Sequence, residues 1–328
     1  MTVLVTGGSG LIGSHVIEAL RARSEAVRAL VRERAAVEGA EAVTGDLTDP
    51  AVWRRATPGV RGIVHAAALV AQRAPYAEFE RVNVGGTRLA IAAARAAGAR
   101  FVHVSSVAVY GRTAGYTAGA NAVTEDFPFH PIPEHDFYAR TKRMAEAVVR
   151  DEAGRGGVDA VAIRPNVVYG ERDRLFTPRL IRAVRRGVVP RVGPGTNHLS
   201  CVYAGNVASA IVAALDAPLS AGDFRAYNVT ADAPPLPTQR EFIAAFADAL
   251  GVRMLRVPVP VFLARAGVRV WTRWLRWRDP ARYAGLGGAA VGFLIGENPY
   301  SMVRAQRELR WTPPFNARAA IRRSVAGF

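Results

Sequence analysis

Tyr138 and Lys142 are four residues apart in Tyr138-Ala139-Arg140-Thr141-Lys142, and Lys142 is the only lysine in a 328-residue chain that carries 43 basic side chains. A sequence drifted this far toward arginine keeps a lysine where a guanidinium cannot serve. An ammonium is compact, shifts its pKa when buried and donates to a hydroxyl from a single point, whereas arginine is a wide fork fixed in its charged state. On a helix, positions i and i+4 share a face, and Met144 to Ala147 continue Tyr138 in a helix-forming pattern. The phenol and the ammonium therefore point into one site. A phenol with its ordinary pKa of about 10 exchanges protons poorly at neutral pH unless a cation favours the phenolate, and Lys142 is expected to be that cation. Alone, this spacing fits a packed ring and a solvated amine better than a catalytic pair. The elements before it reverse that weighting.

Thr2 to Thr6 is a β-branched, apolar strand that runs into Gly7-Gly8-Ser9-Gly10-Leu11-Ile12-Gly13, and helical periodicity follows from Ser14 to Arg23. Gly7, Gly10 and Gly13 allow a tight turn, with the backbone of Leu11 and Ile12 close to a pyrophosphate and the helix close to its strand. A second strand, Ala26 to Val31, should end at the adenine ribose. An acidic residue there suits the 2′-hydroxyl of NAD, and positive charge suits a 2′-phosphate. Arg32, with Arg34 close by, favours NADP; Glu33 between them keeps NAD as the alternative. A third strand, Glu41 to Thr44, leads into Gly45-Asp46-Leu47-Thr48-Asp49, with Asp46 placed for the adenine amino group and Leu47 beside it. The fourth, Gly62 to His65, gives onto Ala66, Ala67 and Ala68, which are small enough to let backbone approach the cofactor.

Asn83 is expected to open a helix that continues through Ala97, and the next strand, Arg100 to Ser105, is followed by Ser106. A hydroxyl at the carboxyl end of a parallel strand lies where ligands bind, which makes Ser106 the partner of Tyr138. Strands alternating with helices predict an α/β fold, a doubly wound parallel Rossmann sheet covered on both faces.

The chain resembles the extended short-chain dehydrogenase/reductase superfamily. Its members carry TGxxGxxG, GDLxD, SSxxVYG, YxxxK and RPxxVYG in that order, found here at Thr6 to Gly13, Gly45 to Asp49, Ser105 to Gly111, Tyr138 to Lys142 and Arg164 to Gly170. The resemblance implies that Ser106, Tyr138 and Lys142 are the catalytic trio, that Asn83 supports them, and that Pro165 to Val168 wall the nicotinamide. It further implies a dinucleotide-binding domain over residues 1–170, with later sheet elements from about 200–230, and a smaller interleaved substrate domain over 171–328. A homodimer built on paired helices is also implied.

Two features bear on the substrate. Sugar-nucleotide epimerases and dehydratases usually place a diphosphate-binding arginine just before a late strand and an acidic pair at its end. Here that stretch reads Asn197-His198-Leu199-Ser200-Cys201-Val202-Tyr203-Ala204-Gly205-Asn206. Asn206 in the last place, and Pro299 to Trp311, are similar to the 3β-hydroxysteroid dehydrogenase-like branch, which includes reductases of long-chain 2-alkyl-3-oxo acids. The second feature is Val261 to Arg278, where Trp271, Trp274 and Trp277 run beside Arg265, Arg269, Arg273 and Arg276. An Arg-coated helix packed by its Val and Trp side chains is the plain reading. A lid over an apolar substrate and a peripheral membrane contact on anionic lipid are the functional ones.

Composition narrows the rest. Half the residues are hydrophobic, enough for a large core. A formal charge of +16 is spread over the chain with no nucleic-acid module, so no nucleic-acid partner is expected. The single cysteine, Cys201, excludes a disulfide framework and suits a reducing cytoplasm. Without a leader or a bilayer-length apolar run, Tyr283 to Ile295 being too short, the chain is expected to be cytoplasmic or peripheral. The six histidines share no ligand spacing, so no metal is expected. The reading is an NADP-preferring oxidoreductase that interconverts a secondary alcohol and a ketone on a small hydrophobic molecule. A sugar-nucleotide epimerase or dehydratase with bound NAD, and a non-catalytic dinucleotide sensor, are the alternatives.

Overall fold

Val3 and Val5 face one way from the first strand and Leu4 the other, and all three are fully buried. A strand apolar on both faces belongs in the middle of a parallel sheet covered by helices. β1 (Thr2–Thr6) takes that place in a seven-stranded sheet in the computed structural model, which describes residues 2–32, 37–70, 74–111, 113, 116, 122–220, 222–278, 293 and 295–328. Glu33 and Arg34, and most of the run from Tyr283 to Ile295, lie outside these residues.

The other strands are β2 (Ala26–Val31), β3 (Glu41–Thr44), β4 (Val60–His65), β5 (Arg100–Val104), β6 (Ala160–Pro165) and β10 (Phe224–Val229), every pair parallel, in the order β10-β6-β5-β4-β1-β2-β3. The order reverses at β1, so the carboxyl ends of β1 and β4 open the crevice in which such sheets bind ligands. α1 (Leu11–Ala22) and α7 (Ala204–Leu215) cover one face, sharing a core with β1, β2 and β6. On the other face lie α2 (Pro50–Ala56), α4 (Gly86–Ala97) and α5 (Phe137–Gly154).

The chain from Tyr76 to Ala97 corrects one expectation. Asn83 does not open a helix. α3 (Tyr76–Phe79) starts directly after Pro75, where a missing N–H breaks no helical bond, and continues through a π turn, Glu80–Gly85, into α4. Asn83 sits buried inside that wide turn. π turns concentrate at functional sites.

Beyond Gly170 a second core gathers Tyr169, Ile181, Phe242, Phe246 and Ile321. It joins α6 (Thr177–Arg185), α8 (Gln239–Ala249) and the terminal helix α11 (Ala317–Ala326). α10 (Val303–Glu308) instead packs back on the main core. Thr238 and Glu241 close a reciprocal capping box on α8. Two small parallel sheets lie here: β7 (Val167–Tyr169) with β9 (Cys201–Tyr203), and β8 (Val188–Val192) with β11 (Leu255–Val259). Pro190 and Pro258 within the last pair hide it from sequence reading, because proline suits only edge strands.

One buried ion pair fastens helix α5 to the sheet. Arg164 on β6 donates through Nε and Nη2 to the two carboxylate oxygens of Glu146, at 3.0 and 2.5 Å, and both residues are buried. Removing one partner of a buried pair strands the other charge, at about 3–5 kcal/mol. Glu146→Ala is therefore expected to lower the urea unfolding free energy by that amount, and Glu146→Leu with Arg164→Leu by clearly less than Glu146→Ala alone. Equal losses would show that packing, not charge, sets the effect.

Candidate active site

The glycine turn after β1 is shaped by its lack of side chains. Gly7 has φ +69°, a left-handed conformation, and a Cβ on Gly13 would lie 2.2 Å from the Gly7 carbonyl oxygen. Helix α1 thus begins hard against the turn, with Gly10 as its N-cap residue. The first N–H groups of a helix lack intrahelical partners and carry positive dipole charge. Those of Leu11, Ile12 and Gly13 therefore form a ready anion cradle. Gly7 also abuts Ala67, to which its Cβ would come within 3.0 Å, so the loop of Ala66, Ala67 and Ala68 closes the same crevice. The residues present fit a dinucleotide, with the pyrophosphate at this cradle.

At the carboxyl end of β5 two adjacent serines take different duties. Ser105 Oγ donates to Glu146 Oε2 at 2.5 Å and is buried beneath the site. Ser106 Oγ accepts the N–H of Ala108 at 3.2 Å and lies beside the phenol of Tyr138. Asp136 caps α5, accepting the N–H of Ala139 at 3.0 Å, so the helix starts where Tyr138 faces Ser106. Lys142, one turn on and 3% exposed, donates from Nζ to the Val104 carbonyl at 2.6 Å.

Electrostatics here departs from the sequence expectation. Burial pushes the Tyr138 phenol up to about 12, with the Ser106 hydroxyl opposing and the Asp136 charge adding to it. Lys142 is directed at Val104 and does not offset that burial. The Lys142 ammonium is itself pushed down by burial to about 8, with Glu146 opposing. Burial and then the charge of Lys142 hold His65 neutral, down to about 3, and act in the same way on His103.

Asn83 clamps two sides of the site together. Its Oδ1 accepts the N–H of Leu69 at 2.7 Å, and its Nδ2 donates to Leu69 O at 3.2 Å and to Thr141 Oγ1 at 3.1 Å. The amide is thus fully committed between the loop after β4 and the helix turn that carries Tyr138 and Lys142. A second chain, which sequence reading missed, runs alongside. Thr87 Oγ1 donates to Asn83 O at 2.6 Å, so His65 must donate to Thr87 from Nε2 at 3.1 Å. His65 Nδ1 then accepts from Thr6 Oγ1 at 3.0 Å, and that oxygen accepts the N–H of Ala67 at 3.1 Å. Neutral His65 is required for this arrangement.

Near the edge of the sheet Arg32 is exposed after β2. Asp46 follows the neighbouring strand β3, held below its usual range first by the N–H of Thr48, at 2.8 Å. Leu47 packs on Gly86, where a Cβ would come within 1.8 Å of Leu47 Cδ1. Arg81, which sequence reading passed over, lies between them. It grips Glu78 through two bonds, at 2.9 and 2.8 Å, and approaches Asp46 at 3.6 Å. Bonds from Arg81, with the charge of Arg32 contributing, keep the Glu78 carboxyl low.

Pro165 ends β6 opposite Val229, and Val168 lies on β7 beside Val202. Between them Asn166 donates to Ser200 Oγ at 2.9 Å and Thr230 O at 2.7 Å while its buried Oδ1 has no protein partner. His198 Nδ1 lies 2.7 Å from Glu297 Oε1, and the carboxylate also accepts the His198 backbone N–H at 3.1 Å. Asn206 faces inward: it donates to Asp232 Oδ1 at 2.7 Å and to Phe315 O at 2.8 Å, and accepts the Phe315 N–H at 2.9 Å. It is a clamp on the C-terminal segment.

A Rossmann sheet with a glycine cradle and a Ser-Tyr-Lys constellation at its carboxyl edge defines a dinucleotide-dependent enzyme. The chain belongs to the NAD dependent epimerase/dehydratase family, whose model matches residues 3–230. It is similar to the 4-hydroxy-2-methyl-3-oxo-4-farnesyl-3,4-dihydroquinoline-1-oxide ketoreductase of Stigmatella aurantiaca, 33% identical over 94% of this chain and 91% of that protein. A 2-alkyl-3-oxoalkanoate reductase of Stenotrophomonas maltophilia is 31% identical over 99% of both chains. Among solved structures, MoeE5 in complex with UDP-glucuronic acid and NAD superposes with a TM-score of 0.73 at 23% identity, covering 100% of this chain and 98% of that one, a likeness of fold. The protein is an oxidoreductase that uses an NAD(P)-type dinucleotide. Among the described residues, no helix is long and apolar enough to cross a membrane.

Because Lys142 is the only lysine, its titration can be isolated. Its folded pKa, about 8, lies below the ordinary 10.5. Between those values the unfolded chain holds a proton that the folded chain has released, so unfolding free energy rises with pH. The thiol of Cys201 and the buried phenols titrate the opposite way, but they are common to wild type and Lys142→Met. The difference between the two proteins should be flat below about pH 8 and rise toward pH 10.5 in urea denaturation. A pH-independent difference would place the ammonium in water.

Proposed function

We propose that the protein reduces a ketone to a secondary alcohol on a small hydrophobic molecule, of the 3β-hydroxysteroid or long-chain 3-oxo acid kind, with NADPH as the preferred reductant. Ser106, Tyr138 and Lys142 are the proposed catalytic trio. When bound, the dinucleotide supplies the hydride. Tyr138, whose phenol keeps its proton at neutral pH, delivers it to the carbonyl oxygen. Ser106 Oγ, beside the same phenol, orients that oxygen. Lys142, held beneath the site by its bond to Val104, is the proposed donor to the nicotinamide ribose. Asn83 acts through position, holding the Tyr138 turn against the Leu69 loop. Pro165 and Val168 are proposed to wall the nicotinamide.

The observation that carries the substrate class is the pairing of His198 with Glu297, at the place where sugar-nucleotide relatives carry a diphosphate-binding arginine. A carboxylate there repels phosphate, and an imidazole offers no bidentate fork. The names of the two relatives, a farnesyl-quinoline ketoreductase and a 2-alkyl-3-oxoalkanoate reductase, support the same class. The partners we propose are this substrate, a second copy of the chain in a homodimer and, peripherally, a membrane. The single buried thiol, Cys201, supports a cytoplasmic setting.

Each methylene buried in an apolar pocket contributes about 0.8 kcal/mol, roughly four-fold. Along a series of 3-oxo substrates, kcat/KM should therefore climb steeply with chain length before levelling, while UDP-glucose neither turns over nor competes. A flat series, or tight inhibition by UDP-glucose, would favour the epimerase reading.

Arg32 and Asp46 are the proposed adenosine contacts, with Leu47 beside the ring and Arg32 on a 2′-phosphate. A charge-assisted bond is worth about 1.5–3 kcal/mol, so Arg32→Asp should weaken NADPH by roughly ten- to a hundred-fold or more and leave NADH tighter of the two. Titration by nucleotide fluorescence reads the ratio, and an unchanged ratio would remove Arg32 from the site.

A further inference from the structure

Helix α9 (Val261–Arg278) has three faces, which differ in exposure and chemistry among the described residues. Val261, Ala264, Val268 and Thr272, at helical spacing, are partly buried. Arg265, Arg269 and Arg273, four residues apart, form an exposed row. The remaining face carries Leu263, Val270, Trp274 and Trp277, all exposed, with Val270 at 70% and Trp277 at 80%. The plain expectation of a helix packed by its tryptophans is thus reversed: those rings point to solvent. Such an exposed apolar face on one element marks an interaction surface.

The chemistry of the row beside it selects the partner. The helix holds five arginines and no acidic residue in 18 positions. A second copy docking by this face would set guanidinium against guanidinium. An anionic bilayer meets both faces at once. Indole rings favour the headgroup level, where the ring is in an apolar layer and the N–H is wet, while arginine stems extend along apolar surface and carry their charge to phosphates. The arginine content keeps the helix out of the hydrocarbon core, so it would lie in the plane of the membrane.

We propose that α9 is an in-plane anchor on anionic lipid, with Leu263, Val270, Trp274 and Trp277 entering the acyl boundary and the Arg265, Arg269, Arg273 row on lipid phosphates. The inference rests on the peripheral membrane contact of the proposed function, for which it names the element and the lipid chemistry. Docking places the site at the phase in which a greasy ketone is concentrated.

The test is co-sedimentation of the full chain with phosphatidylcholine vesicles, with and without phosphatidylglycerol, alongside tryptophan fluorescence. Binding is expected only with phosphatidylglycerol, weakening as salt rises. An arginine near an anionic surface contributes about five-fold to binding, so Arg269→Gln with Arg273→Gln should weaken it about 25-fold. Trp274→Ser with Trp277→Ser should abolish the fluorescence blue shift. Both variants should keep wild-type turnover of a short, water-soluble ketone, since none of these residues lies in the site. Equal binding to both vesicles, or none, overturns the proposal. So does self-association, read by sedimentation velocity, that the tryptophan variant removes while vesicles bind neither protein. Vesicle binding by a protein that reduces no hydrophobic ketone would uphold the anchor and defeat the substrate class instead.

Discussion

One buried ammonium constrains the whole carboxyl edge of the sheet around it. Lys142 lies beneath the crevice at the end of β5, almost without contact with water, and an isolated buried charge is among the most costly features a protein can hold. The surroundings are arranged around it. Its proton is bonded to a strand-end carbonyl, Val104. Glu146, one turn along the same helix, supplies a counter-charge, and His65 and His103 stay neutral beside it. Glu146 is in turn shared by Arg164 and Ser105. That sharing decides which of two adjacent serines faces the phenol, because Ser105 is already committed below and only Ser106 is left at the crevice.

The same economy of bonds assembles the rest of the edge from distant segments. Asn83 ties the loop after β4 to the turn of α5 between Tyr138 and Lys142, and the Thr87, His65 and Thr6 chain ties that loop to β1. The π turn is where these bonds converge. On the other side, buried Asp232 accepts from Tyr169, from the Tyr203 N–H and from Asn206, so β7, β9 and α7 meet at a single carboxylate. Burial holds that carboxyl above its usual range, and these three bonds act against it. The C-terminal segment is fastened through Asn206 to Phe315, which binds the two cores into one body.

Toward the C-terminal part the character of the molecule changes. The dinucleotide half is close-packed, with glycines admitting only backbone. The second half offers a histidine–carboxylate pair at 198 and 297 and a helix whose tryptophans are in water. The carboxylate of the first offers a diphosphate no bidentate donor, and the second leaves apolar rings exposed beside arginines.

How far the sequence alone reached follows from the range of the contacts involved. The glycine turn, the alternation of buried strands with helices and the placing of Tyr138 with Lys142 on one helical face are set by spacing within a dozen residues, and they were legible there. Asn83 was legible as a residue of interest but not in its place, because the helix begins seven residues earlier than its pattern suggests and widens at a π turn. The state of Tyr138 was not legible at all: spacing brings a lysine to the same face, but burial, which only the packed fold creates, outweighs it. His198 and Glu297, 99 residues apart, and Arg81 with Asp46, 35 apart by their numbers, become neighbours only when separate loops close on one another. Local geometry was written in the sequence; the charges, protonation states and exposed faces that direct the chemistry were decided by the tertiary structure, because each depends on what distant chain excludes water or leaves it in contact.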